Sequence, residues 1–263
     1  MLFRSVSYVG SGCVDSDKDG VCDAEDQAPC DPDATTIVYG PAKDVLGQLM
    51  TEDKWPDGLD IDFNDNVLAW NTATQLNGAG EATKIRFTFY VLAAGGTLDT
   101  GSAIQLPIPR TAVRSIERSV AGGPSQSMSL RNTDANATFV VSNNIREFFN
   151  NQGGPINSIQ GQNFFDPVQV VVDVTLNVPT ALDNTLAPWD VFTHRSNDVG
   201  HQIHQPGYGG TAEINSSLFG TLNDGSVLGT RHFVDLQGIP HVLNVPQLIA
   251  WPDRKSTRLN SSH

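Results

Sequence analysis

Cysteine is almost missing from this chain: Cys13, Cys22 and Cys30 are all there are among 263 residues, and the last 233 positions contain none. That distribution fits a local disulfide in an exported segment better than the scattered core thiols of a cytosolic protein. Long apolar runs are missing too. No stretch of about 18 consecutive apolar residues occurs, which excludes a transmembrane helix. Basic residues are few, 16 against 29 acidic, and a net charge of −13 excludes nucleic acid as a partner, because phosphate needs a cationic surface. A glycine-rich nucleotide loop, a G-x-S-x-G elbow and an H-E-x-x-H helix are absent, as is any internal repeat of about 20–50 residues. Glutamate is also rare. Aspartate outnumbers it 23 to 6, and 13 of the 23 fall within the first 65 residues. Solvated helices favour Glu, the better helix former, so short carboxylates concentrated in Gly-containing loops point to turns and hard cations.

The first concentration is residues 15–26, D-S-D-K-D-G-V-C-D-A-E-D. Asp15, Asp17 and Asp19 occupy positions 1, 3 and 5 of a twelve-residue loop, with Gly20 at the sharp turn. The carbonyl of Val21 falls at position 7, Asp23 at 9 and Asp26 at 12. Calcium takes six to eight oxygens at about 2.3–2.6 Å, and alternate residues on a tight loop can aim them at one point. Asp in place of Glu at position 12, and no amphipathic helix on either side, separate this loop from a helix–loop–helix sensor. The three cysteines flank or lie within it, as a local disulfide in an exported segment would. Three pairings are open. Cys22–Cys30 is preferred, leaving Cys13 free or paired upstream. With the A-P-C-D-P-D that follows, the segment resembles a thrombospondin type 3 repeat, an extracellular calcium-wrapped spacer.

The second concentration is residues 51–66, T-E-D-K-W-P-D-G-L-D-I-D-F-N-D-N. Glu52 and Asp53 precede an aromatic turn, and Asp60, Asp62, Asn64 and Asp65 follow it. On an extended segment Asp60, Asp62 and Asn64 share one face while Ile61 and Phe63 enter the core. Clustered carboxylates repel unless a cation or donors compensate, so a second Ca2+ site is expected here. The alternative is a set of Asx turns at loop ends.

This stretch resembles the hallmark of the LruC-domain family, of the form F-E-D-x-W-P followed by G-D-x-D-F-N-D and an apolar strand. His201–Thr211 (H-Q-I-H-Q-P-G-Y-G-G-T) is similar to the family's E-[IV]-H-L-P-G segment. Gly238–Pro246 (G-I-P-H-V-L-N-V-P) is similar to its L-P-W-A-L-x-I-P segment. The matches run in family order over about residues 35–252, with Lys54, Gln205 and His241 as departures. The resemblance implies an exported or surface-attached bacterial domain with no established catalytic machinery to transfer.

Three regions follow: a calcium-loop segment at 1–34, the main domain at 35–252, and 253–263. The last, D-R-K-S-T-R-L-N-S-S-H, resembles a translated sequencing adapter and is expected to be non-biological. The start has too short an apolar stretch for a signal peptide, so both natural ends are expected to be missing and any surface anchor to precede Met1. Short β-like runs recur through the main domain at 67–73, 84–94, 103–108, 112–120, 137–142, 168–178, 189–194, 231–236 and 241–245. Only 143–151 reads as a helix, capped by Asn. The expected fold is all-β, an antiparallel, jelly-roll-like β-sandwich with one short helix.

His194, His201, His204, His232 and His241 fall within 48 residues, and His201, His204 and His232 could share a metal if their loops met. Packing or solvated histidines are the expected alternative. No catalytic residue is assigned. The expected role is a non-catalytic, calcium-binding adhesion, recognition or structural module, secreted or on the outer surface or periplasm, with an extracellular protein or glycan as partner. A carbohydrate-binding module is the alternative, using Trp55, Trp70, Trp189, Tyr208 or Trp251 as stacking platforms; an accessory domain of a secreted hydrolase is another.

Overall fold

A computed structural model describes residues 14–57, 61–182 and 189–250. Its strands are β1 (Thr36–Gly40), β2 (Gly47–Thr51), β3 (Asn66–Leu76), β4 (Ala82–Ala93), β5 (Thr100–Pro109), β6 (Val113–Val120), β7 (Gln126–Ser127), β8 (Asn136–Ser142), β9 (Val168–Thr180), β10 (Asp190–Arg195), β11 (Asp198–Ile203) and β12 (Val242–Val245). They form two antiparallel sheets. The larger runs β12-β2-β3-β4-β9-β6-β7, with β1 also on β3, and the smaller runs β11-β10-β5-β8. The expected sandwich is the fold.

Side-chain alternation explains why the sheets meet. In β4, Ile85, Phe87, Phe89 and Val91 are buried while Arg86, Thr88 and Tyr90 lie on the other face. The neighbouring β9 buries Val170, Val172, Val174 and Leu176 in the same sense. Ile104, Leu106 and Ile108 of β5 and Phe139 of β8 answer from the smaller sheet, in one continuous core. Phe87 meets Trp189 edge-on across the gap, with ring centroids 5.0 Å apart. Each such side chain removed from water contributes about 1.5–3 kcal/mol. On the outer face, Arg86 and Asp173 sit opposite each other in register and form a two-pronged ion pair at 2.8 and 2.9 Å.

One edge of β3 is shared by two strands laid end to end. β2 pairs with Asn66–Trp70, and β1 with Thr72–Leu76. At the changeover, Asn71 Nδ2 donates to the carbonyls of Ala42 and Val45, holding the intervening loop. Gly47 is needed in β2 because a Cβ there would lie 2.5 Å from the Trp70 indole.

Two expectations are corrected. The helix at 143–151 is a 3-10 turn, Ile145–Phe149. Asn144 does cap it, accepting from Arg146 N at 3.0 Å, but Asn150 and Asn151 both take the left-handed conformation and end it after one turn. The expected strand at 231–236 is not a strand. Phe233, fully buried at φ 53°, breaks the extended path, and the segment is held by isolated bridges such as Asp224–Asp235 and Val234–Pro240.

Candidate metal centre

The Asp loop is built by alternation. Asp15, Asp17 and Asp19 are half-buried, whereas Ser16, Lys18 and Gly20 between them are exposed. Lys18 and Gly20 have positive φ, which curls the backbone around the three acids. Backbone N–H groups hold one side of the ring: Lys18 N donates to Asp15 Oδ1 at 2.7 Å, Gly20 N to Asp15 Oδ2 at 3.2 Å, and Val21 N to Asp19 Oδ1 at 2.8 Å. Oδ2 of Asp17 and Oδ2 of Asp19 are shielded from solvent with no hydrogen-bond partner. One carboxylate oxygen from each of the three residues lies within 4.8 Å of the others. Two oxygens on a common calcium, each about 2.4 Å from it, are at most about 4.8 Å apart. The spacing therefore suits that ion.

Asp23 and Asp26, also expected in this loop, do not join the triplet. Asp23 turns both oxygens to Ser16, accepting from its N–H at 2.8 Å and its hydroxyl at 2.7 Å. Asp26 is buried and caps the next turn through Ala28 N at 2.7 Å. Val21 is half-buried beside Asp19. Cys22 is disulfide-bonded, whereas Cys30 is free and exposed, so the preferred Cys22–Cys30 pairing is corrected. Cys13, expected to be free or paired upstream, lies outside the described residues.

A second acidic cluster closes the other end of β2. Pairing of Thr51 with Asn66 brings the residues after β2 against those before β3. Glu52, Asp53, Asn64 and Asp65 are all buried. Asp53 N donates to Asp65 Oδ2 at 2.8 Å, Phe63 N to Glu52 Oε1, and Leu98 N to Asp53 Oδ2 at 3.0 Å. Glu52 Oε2 and Asp53 Oδ1 are buried without a hydrogen bond. Burial, then the charge of Asp65, pushes the Glu52 carboxyl up to about 10. Burial, then Asp53, pushes Asp65 up to about 8. Glu52, Asp53 and Asp65 are not drawn together as tightly as Asp15, Asp17 and Asp19, which form the one such acidic triplet among the described residues.

The expected alternation through this loop is corrected. Phe63 takes φ 55° and packs beside Met50, Val67 and Ala93, so the adjacent Asn64 and Asp65 are both buried where alternation would have separated them. Asp62 is half-buried and its charge raises Glu52 and Asp65 further. Asp60 lies outside the described residues.

Residues from far along the chain complete this cluster. Gly95 N and Gly96 N donate to the carbonyls of Asn64 and Asp65 at 3.0 and 3.3 Å. A Cβ on Gly96 would lie 2.3 Å from Asp53 Oδ2, and one on Gly95 would lie 2.5 Å from Ser158 Oγ. On the far side, buried Arg146 donates through Nη2 to Gly96 O at 2.5 Å. The G-G pair directly after an apolar strand was the available signal; Ser158 and Arg146 carried none.

The histidines separate. His204 Nδ1 pairs with Asp190 Oδ2 and its Nε2 with Gln202 Oε1 at 2.9 Å. His201 Nε2 bonds the Trp55 carbonyl, and His232 Nε2 accepts from Gly229 N at 3.1 Å. No metal group involving them occurs among the described residues. All five are buried. Trp55, Trp70 and Trp189 are buried too, Trp55 donating to Asp224 Oδ1 at 2.9 Å, and none offers a stacking face; Tyr208 is half-buried and Trp251 lies outside the described residues.

A family model described as "Domain of unknown function (DUF4842)" matches residues 80–257. The chain belongs to the DUF4842 family. The match begins just before β4, so the DUF4842 span contains Gly95, Gly96 and Ser158, while both acidic loops precede it. It also runs five residues into the 253–263 segment. The fold is similar to the crystal structure of a "Putative lipoprotein from Bacteroides ovatus", with a TM-score of 0.61 and 15% identity over 83% of this chain and 67% of that one. No curated protein matches the chain.

Proposed function

We propose that this DUF4842 chain is a non-catalytic, calcium-binding module that works outside the bacterial cytoplasm, in adhesion, recognition or structural support. The observation that carries the proposal is the Asp15–Asp17–Asp19 triplet, with carboxylate oxygens within 4.8 Å and two shielded oxygens lacking partners. Calcium there would neutralise three repelling carboxylates and fix the loop that precedes the sandwich. Binding to the folded state alone stabilises it by mass action.

The buried Glu52–Asp53–Asp65 cluster is the second proposed ion site, in which Asn64 would add a neutral oxygen and half-buried Asp62 lies close by in sequence. The resemblance to thrombospondin type 3 and LruC segments supports an exported setting. So do the disulfide at Cys22 and the lipoprotein name of the structural neighbour. Among the described residues no helix is long and apolar enough to cross a membrane.

Thermal melting in millimolar calcium and in chelator tests this reading. The midpoint rises by several degrees with calcium in the wild type and by less in Asp17→Asn/Asp19→Asn. Identical melts in calcium and chelator would overturn it.

A further inference from the structure

A cleft of about 570 Å3 separates the Asp loop from the outer face of the larger sheet. That volume lies within the range of about 300–1,000 Å3 usual for small-ligand sites. Three adjacent strands build its floor. Lys84 of β4 is in register with Thr175 of β9, and Arg114 of β6 falls in the bulge between Val113 and Ser115, where a register shift re-aims its side chain. Asn177 fixes that bulge, its Nδ2 donating to the carbonyls of Thr111 and Val113 at 3.2 Å each. Lys84 is half-buried and Arg114 exposed, and neither has an ion-pair partner among the described residues. Arg86, two residues along β4, is tied up by Asp173. The opposite wall is acidic, with Asp19, Asp31 and Asp33.

A floor of two uncommitted cations facing a wall of carboxylates selects for one anionic group on an otherwise hydroxyl-bearing ligand. The anion is held from the floor, and hydroxyls donate to the wall. A polyacidic peptide would meet repulsion from Asp19, Asp31 and Asp33, and an apolar ligand would have only Val21, Pro32, Leu176 and Pro179 to cover in a lining otherwise of Gly, Thr, Asn, Asp, Lys and Arg. We propose that this cleft binds a carboxylated carbohydrate, with Lys84 and Arg114 holding the carboxylate. The proposal deepens the recognition role above and rests on it. Calcium enters only through the wall that Asp19 provides.

The test is calorimetric titration, in millimolar calcium, of a glucuronic-acid-containing disaccharide, its carboxyl-reduced neutral counterpart, and a Glu-rich decapeptide. The acidic disaccharide binds, and the neutral one binds roughly tenfold or more weakly, the worth of a hydrogen-bonded charge contact. Lys84→Met and Arg114→Met each weaken binding by a similar factor, while Arg86→Met leaves it unchanged. Melting with and without calcium, run on the same samples, reports the ion site separately, so loss of sugar binding with an intact calcium response counts against the cleft alone. Equal binding of the neutral disaccharide, tighter binding of the peptide, no binding of the acidic disaccharide, or an unchanged Lys84→Met/Arg114→Met double variant would overturn the proposal.

Discussion

The backbone N–H of Asp53 donates to Asp65 Oδ2 at 2.8 Å, pinning the two ends of the 52–65 loop together inside the protein. Both residues are buried, and Glu52 beside them is 1% exposed. Three carboxyl groups are thus placed where water cannot solvate them, and the protonation of Glu52 and Asp65 is tied to folding.

Glu52 rises from an ordinary 4.5 and Asp65 from 3.8, so without a cation the folded state holds protons that the unfolded state releases. Stability from these groups is fully present below pH 4 and is lost as pH climbs through their folded values. Burial lowers His194, His201 and His241, which makes stability rise with pH only below their ordinary value of 6.5. Melting in chelator between about pH 7 and 9, above that histidine range, therefore falls with pH in the wild type. Glu52→Gln flattens the slope. Parallel slopes in the two proteins would show that the buried Glu52 is not its source.

Gly96→Ala is expected to destabilise the protein by about 1–3 kcal/mol, because the new methyl is forced against a fixed carboxylate. The contact would be 2.3 Å to Asp53 Oδ2. Gly78→Ala, with nothing within 4 Å of the added Cβ, is the matched control. Urea unfolding of both variants gives the comparison, and equal midpoints would contradict the closeness of Gly96 to Asp53.

Asp190→Ala removes the acceptor of buried His204 Nδ1 and should cost about 1–3 kcal/mol, the penalty for an unmet buried donor. The heat of calcium binding should stay as in the wild type, since His204 hydrogen-bonds to Asp190 and Gln202 and not to the acidic residues of the two loops. A changed calcium heat would mean that the histidine region is coupled to the ion sites.

Cys30 should react with a maleimide in the native protein, and Cys22 only after reduction. Peptide mass mapping locates the label. Native labelling of Cys22 would contradict its disulfide.

The sequence was most legible where period and chemistry coincide. β4 and β9 alternate residue by residue, and both were expected within a few positions. β2, G-Q-L-M-T, is buried at all five positions and so shows no alternation to find. The false strand at 231–236 looked apolar enough, but a single left-handed residue, Phe233, decides its path. Asp15, Asp17 and Asp19 could be placed together from spacing alone, because two-residue steps on one short loop leave little freedom. Glu52 and Asp65 could be suspected as partners. Gly95 and Gly96 carried only the signal of a G-G pair after an apolar strand, and Ser158 and Arg146 carried none, since they reach the cluster from distant segments of the chain.

Calorimetric titration of calcium into the chelator-treated protein tests the central claim most directly. Saturable binding is expected, with one component removed in Asp17→Asn/Asp19→Asn while that variant still folds. A flat titration of the wild type in millimolar calcium would contradict it, as would a wild-type curve reproduced unchanged by the double variant.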